Sequence, residues 1–391
     1  MSPHEPTSRI LPGATLGMLG GGQLGRMFTI AARTMGYRVI VLDPDPTSPA
    51  GQVADEHLQT DYLDTDALQQ LERHCAVITT EFENIPVEVL RHLAQHCPVR
   101  PNADAVAIAQ HRVTEKNWLQ QHGFATATFA VINRTHDIEV ACQTTGLPAV
   151  LKVTRFGYDG KGQIRVADPV EVAQAFATFG NETCVLERLI ALHCELSVVL
   201  GRNVSGETAC FPVIENIHHH GILDTSIAPA RITSALAERV SNMAIQIAHQ
   251  LDYIGVLGVE FFVTTDHDVL INEIAPRPHN SGHFTLDACL TSQFELQVRA
   301  VCNLPLGATQ QHTPAVMVNL LGDLWGRSQP NWAELMQHPQ TKLHLYGKQA
   351  ARPGRKMGHF TCIDQDLPAA LSLAQTIREH LPASDTIHIE T

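Results

Sequence analysis

The chain has 391 residues, enough for two or three domains with substantial cores, and its composition is that of an ordinary globular protein. Its formal net charge of −13 argues against a nucleic-acid partner, because nucleic-acid-binding proteins usually present a basic surface. The nine cysteines are scattered, and the polar N-terminus lacks a signal-peptide core. No apolar run approaches the roughly eighteen residues of a membrane span. These features predict a cytoplasmic protein without a membrane partner.

A glycine-rich turn follows the first predicted strand, Thr15–Leu19. Gly20–Gly25 fits the pattern G-x-G-x-x-G, and a predicted helix, a strand at Tyr37–Leu42 and then Asp43 come after it. By pattern this is a dinucleotide fingerprint with its ribose-binding acid. Backbone N–H groups at such a turn can donate to any phosphorylated ligand, however. A plain strand-to-helix turn without a ligand is a further alternative.

Two carboxylates follow another predicted strand, Cys75–Thr80. Polar residues at the carboxyl edge of a parallel sheet are typical of ligand sites. Glu81 and Glu83 would point to opposite faces if the strand continued, so we expect at most one of them to reach a site. The alternative, that each carboxylate only begins the helix opened by Pro86, is equally open.

Basic residues precede a second glycine-rich segment. A predicted helix over Ala103–His122 carries Arg112 and Lys116, and Lys152 interrupts the apolar strand Pro148–Val153. A lysine in a buried strand is costly unless it faces an anion, although its ammonium group could also reach the surface. Arg155–Gln163 has three glycines and two basic residues, which predicts a mobile loop over phosphates or an ordinary hairpin tip.

The next segment combines strands with an apolar turn and three histidines. Cys184–Glu187 is a predicted strand that leads into Arg188–Ile190, which is apolar enough to receive an adenine ring. Glu195 opens another strand, and Thr233–Leu251 is a predicted amphipathic helix. The run His218–His220 cannot aim three rings at one ion in regular structure, so we expect a turn with one ligand-contacting histidine.

A hairpin with two glutamates dominates the middle of the chain. The apolar runs Val256–Val263 and Val269–Ile274 are separated by the short polar turn Thr264–Asp268. A turn centred on Asp266-His267 would place Glu260 directly opposite Glu273, where like charges about 5 Å apart repel. Such a pair needs a cation between its members, and oxygen ligands select Mg²⁺. Two solvated glutamates on an exposed hairpin face are the alternative.

The segment after the hairpin, Ala275–His283, has too many prolines to continue a strand. It adds a cation, imidazoles and an amide beside the carboxylate pair, which indicates an anion next to a metal.

A smaller unit is predicted after Pro305. Ala315–Leu321, Lys342–Tyr346 and Phe360–Ile363 are predicted strands, and Leu367–His380 is a predicted helix. The loop between the second and third strands is the most basic stretch of the chain, which indicates a lid over an anion or a solvated loop.

Five motifs in this order resemble the ATP-grasp superfamily and, more closely, the N5-carboxyaminoimidazole ribonucleotide synthases. They are Gly20–Met27, Glu81–Asn84, Phe156–Gln163, Asn272–His283 and Gly347–His359. The resemblance runs from Thr15 to about Ile363, and His219-His220 departs from the family pattern. It implies an α/β and α+β fold of three domains, usually as a homodimer. They are a Rossmann-like pre-ATP-grasp domain over 1–110, an ATP-grasp domain over 111–310 and a small mixed-β C-terminal domain over 311–391. The ATP-grasp domain would carry a mobile glycine loop near 155–163.

The resemblance also implies the site residues. The ATP positions are Arg112, Lys152, Gly157, Tyr158, Asp159, Gly160, Lys161, Gly162, Gln163, Glu187, Arg188, Leu189, Ile190, Glu195, His218, Asn272 and Glu273. The Mg²⁺ ligands are Glu260 and Glu273. The catalytic positions are Arg277, His279, Lys348 and Asp159. The aminoimidazole ribonucleotide positions are Gly22, Gln23, Leu24, Glu81, Tyr158, Asp159, Lys348 and Arg355.

The implied activity is ATP-dependent carboxylation of aminoimidazole ribonucleotide with bicarbonate, through carboxyphosphate, in purine synthesis. Asp159 is the candidate that orients or deprotonates the substrate amine. One rival is another ATP-grasp ligase that uses formate or glycine. A second is an NAD-dependent oxidoreductase built on Gly20, Gly22, Gly25 and Asp43, and a third is an inactive nucleotide-binding regulator.

Overall fold

The computed structural model describes residues 8–155, 157, 161–326 and 328–381. Three predicted site residues, Tyr158, Asp159 and Gly160, therefore lie outside the described residues. The described elements combine a parallel sheet with antiparallel sheets and covering helices, which confirms the predicted α/β and α+β architecture. Within the described ranges, no helix is both long and apolar enough to cross a membrane.

The N-terminal unit is a parallel sheet in the order β3-β2-β1-β4. Its strands are β1 (Thr15–Leu19), β2 (Arg38–Leu42), β3 (Glu56–Leu58) and β4 (Val77–Thr80). Its helices are α1 (Gln23–Thr34), α2 (Thr65–His74) and α3 (Val87–Leu93). The apolar runs of β1, β2 and β4 are buried because helices cover a parallel sheet on both faces.

The helix predicted over Ala103–His122 is wrong, because two helices occupy this range. They are α4 (Ala103–Ala109) and α5 (Arg112–Gln121). At the break, the side-chain amide of Gln110 donates to the carbonyl oxygens of Glu83 and Ile85. These tertiary hydrogen bonds override the helical periodicity and place Arg112 in the first turn of α5.

A small antiparallel sheet follows, in the order β5-β8-β6-β7. Its strands are β5 (Phe129–Ile132), β6 (Ala149–Val153), β7 (Gln163–Val166) and β8 (Cys184–Arg188), and its helices are α6 (Ile138–Thr145) and α7 (Pro169–Thr178). Lys152 pairs with Gln163 across β6 and β7, so these strands bring both ends of the glycine-rich loop together.

The remaining strands form one large sheet in the order β14-β13-β9-β11-β12-β15-β17-β16, with β10 beside β9. They are β9 (Leu192–Arg202), β10 (Thr208–Cys210), β11 (Ile214–His219), β12 (Ile222–Ala228), β13 (Gly255–Thr264), β14 (Val269–Ala275), β15 (Ala315–Leu321), β16 (Thr341–Leu345) and β17 (Lys356–Ile363). The helices are α8 (Ser234–Gln250), α9 (Thr285–Ala288), α10 (Gln293–Val301), α11 (Trp332–Met336) and α12 (Leu367–His380). The C-terminal strands join through the pairing of β12 with β15, so they extend the central sheet.

Two local predictions differ from the structure. His218 and His219 end strand β11, and only His220 lies in the turn, with a φ of 51°. The basic loop is shorter than predicted, because β17 begins at Lys356 and pairs with β15 and β16. Strand pairing that the sequence does not reveal causes both differences.

Candidate nucleotide and anion site

A cleft of about 710 Å³ brings most of the predicted ATP and metal residues together. The small sheet contributes one part of its lining, and the hairpin of β13 and β14 contributes another. The predicted residues that line it are Arg112, Lys152, Gly157, Lys161, Gln163, Glu187, Arg188, Leu189, Ile190, Glu195, His218, Glu260, Asn272, Glu273, Arg277 and His279. They come from at least five separate segments of the chain, and sequence spacing alone does not establish their convergence.

The predicted opposition of Glu260 and Glu273 across the hairpin is confirmed. It arises differently from the prediction, however. Near the turn, Val263 pairs with Val269, and the strand register there is shifted by one residue relative to that of the glutamate pair. An irregularity after Glu260 leaves Asn272 as an extra residue on β14 and restores the opposition. A β-bulge of this kind redirects side chains next to a functional site.

Glu260 is a partly buried, ionised carboxylate with two hydrogen-bond partners. Its Oε1 lies 3.1 Å from His279 Nε2, and its Oε2 accepts from Asn272 Nδ2 at 3.0 Å. Burial alone would raise its pKa, but the hydrogen bond and positive charge of His279 lower the pKa of Glu260 to about 2. Such partners orient a carboxylate in the way that outer partners orient metal ligands.

Glu273 lies near a further buried acid. Its Oε2 is 3.6 Å from Arg112 Nη1. Burial, and then the charge of Glu273, raise the pKa of Glu115 to about 8, although the backbone N–H of Ile274 opposes this shift. Glu115 and Glu273 are therefore close enough for their charges to interact. The opposed carboxylates Glu260 and Glu273 fit a hard divalent cation.

Lys152 faces an anion, as predicted, and that anion is Glu187. Lys152 Nζ is 2.8 Å from Glu187 Oε2, and Lys116 Nζ is 3.2 Å from Oε1. Burial alone would raise the pKa of Glu187, but the two ammonium groups lower it to about 2. Lys152 still lines the cleft, with a tenth of its side chain exposed, so it can also meet a phosphate.

The far end of the cleft holds Arg277 and His279, with an acid from the N-terminal unit. Arg277 Nε donates to Glu83 Oε2 at 2.6 Å. Burial would raise the pKa of Glu83, but Arg277 lowers it. His218 Nδ1 lies 2.9 Å from Glu195 Oε2. Burial would lower the pKa of His218, but its hydrogen bond with Glu195 and the charge of Glu260 raise it.

Carboxylates occupy the glycine-rich turn before α1. Glu81 accepts from the backbone N–H groups of Gly22 and Gly25, at 2.5 and 2.9 Å. Asp43 accepts from Gly21 N at 2.7 Å and from the Tyr62 hydroxyl. The donors that a dinucleotide phosphate would use are therefore already paired with acids. This arrangement argues against the dinucleotide interpretation of the fingerprint.

The predicted aminoimidazole ribonucleotide residues form a separate group beside the cleft. Lys348 Nζ donates to Gln23 Oε1 at 2.6 Å and to the carbonyl of Lys356 at 2.7 Å, and Lys356 lines the cleft. The Leu24 side chain packs in the core of the N-terminal unit, so only its backbone can meet a ligand. Arg355 donates to the carbonyl of Ala350 on the surface.

Within the described residues, Gly22, Gln23, Leu24, Glu81, Gly162, Lys348 and Arg355 are the predicted positions that do not line the cleft.

Several site residues were missed by the sequence interpretation. Glu115 and Lys116 lie on α5 and look like solvated helix residues, yet both are almost fully buried. Glu83 and Lys356 lie in motifs that the sequence singled out, so a signal for them existed. Lys116 was noted as a basic residue of its helix but was given no role. For Glu115 there was no signal, because a helix pattern does not reveal what its polar face contacts.

Three family models match consecutive parts of the chain. The ribonucleotide synthetase preATP-grasp domain matches residues 13–110, and the ATP-grasp domain matches residues 117–294. The phosphoribosylaminoimidazole carboxylase C-terminal domain matches residues 315–372.

The chain is also similar to individual proteins over nearly its whole length. The N5-carboxyaminoimidazole ribonucleotide synthase of Bacillus subtilis is 44% identical over 356 residues, which cover 91% of this chain and 93% of the relative. An ADP complex of an N5-carboxyaminoimidazole ribonucleotide synthetase matches with a TM-score of 0.89 and 42% identity, covering 95% of this chain and 98% of the other. The Aspergillus clavatus synthase in complex with ADP and 5-aminoimidazole ribonucleotide matches with a TM-score of 0.86 and 29% identity, over 95% and 98% of the two chains.

Proposed function

The chain belongs to the N5-carboxyaminoimidazole ribonucleotide synthase family of ATP-grasp ligases, and we propose from its residues how it performs the family's reaction. It catalyses the ATP-dependent carboxylation of 5-aminoimidazole ribonucleotide to N5-carboxyaminoimidazole ribonucleotide, a step of purine biosynthesis. Bicarbonate is the one-carbon substrate in this proposal. ADP and phosphate are the other products.

One observation carries the mechanism: the acid pair Glu260 and Glu273 shares a cleft with the cations Arg112, Lys152 and Arg277. A triphosphate needs both kinds of group, because phosphoryl transfer depends on positioning and on charge neutralisation. We assign the cleft to ATP. Leu189 and Ile190 supply apolar contact for the adenine ring, while Lys152 and Lys161 line the cleft where they can neutralise phosphate charge.

Mg²⁺ is the cofactor that fits the acid pair. Glu260 and Glu273 would hold it, with His279 and Asn272 fixing the orientation of the Glu260 carboxylate. When bound, Mg²⁺ neutralises the charge of the β- and γ-phosphates and orients them for transfer. The opposition of Glu260 and Glu273 across the hairpin supports this assignment.

Arg277 and His279 are assigned to bicarbonate at the far end of the cleft. A guanidinium group binds a planar oxyanion through paired N–H donors, which suits bicarbonate. Attack of a bicarbonate oxygen on the γ-phosphorus forms carboxyphosphate and releases ADP. Carboxyphosphate hydrolyses readily, so closure of the basic loop around Lys348 would exclude water from it.

The second substrate is assigned to the group beside the cleft. We propose that Gly22, Gln23, Leu24, Glu81, Lys348 and Arg355 contact aminoimidazole ribonucleotide, together with Tyr158 and Asp159, which lie outside the described residues. Carboxyphosphate breaks down to CO₂ and phosphate, and the exocyclic amine attacks the CO₂ carbon. Asp159 orients the amine or takes its proton.

We further propose that the enzyme is a cytoplasmic homodimer with domains over 1–110, 111–310 and 311–391. Light scattering after gel filtration tests the dimer directly.

The decisive experiment measures phosphate release from ATP with and without bicarbonate and aminoimidazole ribonucleotide. We expect release to require bicarbonate, and Glu273→Gln to abolish it while far-UV circular dichroism stays unchanged. Release that persists after bicarbonate is removed, or that needs formate or glycine instead, would indicate another ATP-grasp ligase. Full release by Glu273→Gln would refute the proposed role of the acid pair.

A further inference from the structure

The ammonium group of Lys348 has contacts from three different parts of the chain. Its Nζ donates to Gln23 Oε1 at 2.6 Å, at the start of α1, and to the carbonyl oxygen of Lys356 at 2.7 Å, at the start of β17. It also lies over the ring of Tyr346, 5.6 Å from the ring centroid. A cation within about 6 Å of the centroid is attracted by the negative face of an aromatic ring. None of the proposed chemistry uses Tyr346.

The Tyr346 ring is fixed in place from both ends. It is 1% exposed and belongs to the apolar core of the N-terminal unit, together with Leu24 and Phe28 of α1. Its hydroxyl lies 2.8 Å from Nδ1 of His359, which has no exposed surface. A buried aromatic ring with a hydrogen-bonded hydroxyl has little freedom to move. Tyr346 therefore ties the end of strand β16 to the N-terminal unit.

The residue between the tyrosine and the lysine is a glycine with a positive φ. Gly347 has a φ of 76°, a conformation that glycine adopts more readily than other residues. The chain turns at this point, and the lysine side chain lies over the ring of the residue two positions before it. The turn, the ring and the lysine together form the start of the basic loop.

The two hydrogen bonds of Lys348 do not by themselves fix its position. Lysine is a compact charge on a flexible stem of four carbons, and ordering such a side chain costs conformational entropy. The side chain of Gln23 is only partly buried. The Tyr346 ring, in contrast, is held in a packed core, so it provides a rigid surface on which the lysine side chain lies.

We propose that Tyr346 is a positioning residue that holds the Lys348 ammonium group in place for aminoimidazole ribonucleotide through the face of its ring. The inference rests on the proposed function, because Lys348 is assigned to that substrate. Tyr346 is buried, so its effect on the substrate passes through Lys348. Among the residues that the structure describes, Lys348 does not line the cleft assigned to ATP, so ATP binding should not depend on Tyr346.

The first test measures binding of aminoimidazole ribonucleotide to the full-length protein by titration calorimetry. Tyr346→Leu keeps an apolar side chain in the core but has no ring. We expect it to weaken the affinity roughly 10-fold, as the loss of a desolvated cation–π contact would, and to leave ATP affinity unchanged. Tyr346→Phe keeps the ring and should weaken the affinity less. Equal losses in the two variants would assign the effect to the hydroxyl and overturn the proposal.

The second test asks whether Tyr346 acts through Lys348. Tyr346→Leu is introduced into a Lys348→Met background, which has no ammonium group for the ring to hold. We expect no further loss of aminoimidazole ribonucleotide affinity in the double variant, because coupled residues are not additive. Additive losses would mean that Tyr346 acts independently of Lys348, and they would refute the positioning role.

Phe360→Leu is the matched control for the loss of a buried ring. Phe360 lies in β17 next to His359, has no exposed surface and packs in a different core with residues of α12. This variant should leave the affinity for aminoimidazole ribonucleotide unchanged. A loss equal to that of Tyr346→Leu would show a general packing effect and contradict the proposal.

A third test needs no substrate. The full-length protein is labelled with ¹³C-lysine, and the Lys348 signals are identified by their loss in Lys348→Met. The ring should shift the Lys348 Cε proton signals upfield in the parent protein and in Tyr346→Phe, and this shift should disappear in Tyr346→Leu. A parent protein without the shift overturns the proposal. If the parent protein binds no aminoimidazole ribonucleotide, the proposed function fails, while the lysine signals still decide whether the ring holds Lys348.

Discussion

At the residue scale, the cleft depends on buried charges that compensate one another. Glu187 lies between Lys152 and Lys116, and the three side chains are 3%, 10% and 1% exposed. Removing one member of such a group leaves a buried charge without its counter-charge, which costs more than the intact group contributes. Although the chain as a whole is acidic, these cations are concentrated where phosphates would bind.

Glu187→Gln tests this compensation through stability. The variant leaves Lys152 and Lys116 without their buried counter-charge, so we expect it to lower the free energy of unfolding by roughly 3–5 kcal/mol at pH 7. Urea unfolding followed by circular dichroism measures the change. Glu182→Gln replaces an exposed glutamate just before β8 and should have little effect.

The same variant predicts a pH dependence. The pKa of Glu187 is about 2 in the folded protein, against an ordinary value of 4.5. A carboxylate whose pKa is lowered by folding stabilises the fold above its unfolded pKa, and this contribution is lost as the pH falls from about 4.5 toward about 2. The parent protein should lose that stability in this window, and Glu187→Gln should not. Parallel pH curves for the two proteins would contradict the assignment.

At the element scale, local sequence patterns predicted helices and strands whose ends they mark. Tertiary contacts determined the breaks and bulges that those patterns do not show. The strands at Thr15–Leu19 and Ala315–Leu321 and the helix Leu367–His380 were predicted with their observed bounds, because turn residues and apolar periodicity mark their ends. The break at Gln110 was not predictable, since its cause is a hydrogen bond to a distant backbone. The bulge at Asn272 was equally invisible, although the glutamate opposition it restores was predicted.

The candidate site shows the same division. Motifs indicated the acid pair, Lys152 and Arg277, because charged residues in apolar or proline-rich surroundings need a partner. They did not indicate that Glu187 and Glu83 would be those partners. The partners Lys152 and Glu187 are 35 positions apart in the chain, and Arg277 and Glu83 are 194 positions apart. Such contacts depend on the packing of whole elements, which local sequence patterns do not reveal.

One glycine in strand β13 lies against His279, the histidine that we assign to bicarbonate. A Cβ at Gly258 would lie 2.8 Å from the Cβ of His279 and 2.9 Å from its Cγ, at the base of the side chain. Gly258→Ala must therefore displace the His279 segment. We expect kcat/KM for bicarbonate to fall roughly 100-fold, since a displacement of about 1 Å is enough for such a loss.

Gly201→Ala is the matched control for this variant. Gly201 lies in the neighbouring strand β9, and its added Cβ would meet the flexible end of Leu296 instead. We expect it to reduce stability by about 1–3 kcal/mol through overpacking, while the bicarbonate dependence stays normal. Similar bicarbonate kinetics in the two variants would mean that Gly258 has only a packing role.

At the scale of the whole molecule, residues from distant parts of the chain surround the cleft. The N-terminal unit contributes Glu83, which meets Arg277 in the cleft lining, and Gln23, which meets Lys348 beside the cleft. The C-terminal strands extend the central sheet and bring Lys356 into the cleft lining. No single motif therefore contains the whole site: Arg277, which we assign to bicarbonate, meets an acid 194 positions away in the chain.

The contact between Glu83 and Arg277 provides the last prediction. Glu83 accepts a hydrogen bond from the Nε of Arg277. This contact orients the guanidinium plane toward the cleft that both residues line. Glu83→Gln removes the charge but keeps the size, so Arg277 loses its orientation. We expect the KM for bicarbonate to rise roughly 10-fold, with the KM for ATP unchanged. Glu88→Gln, an exposed acid in the first turn of α3, is the control and should behave like the parent protein. A fall in the bicarbonate KM would instead mean that Glu83 competes with bicarbonate for Arg277, and unchanged kinetics would mean that the two units are coupled elsewhere.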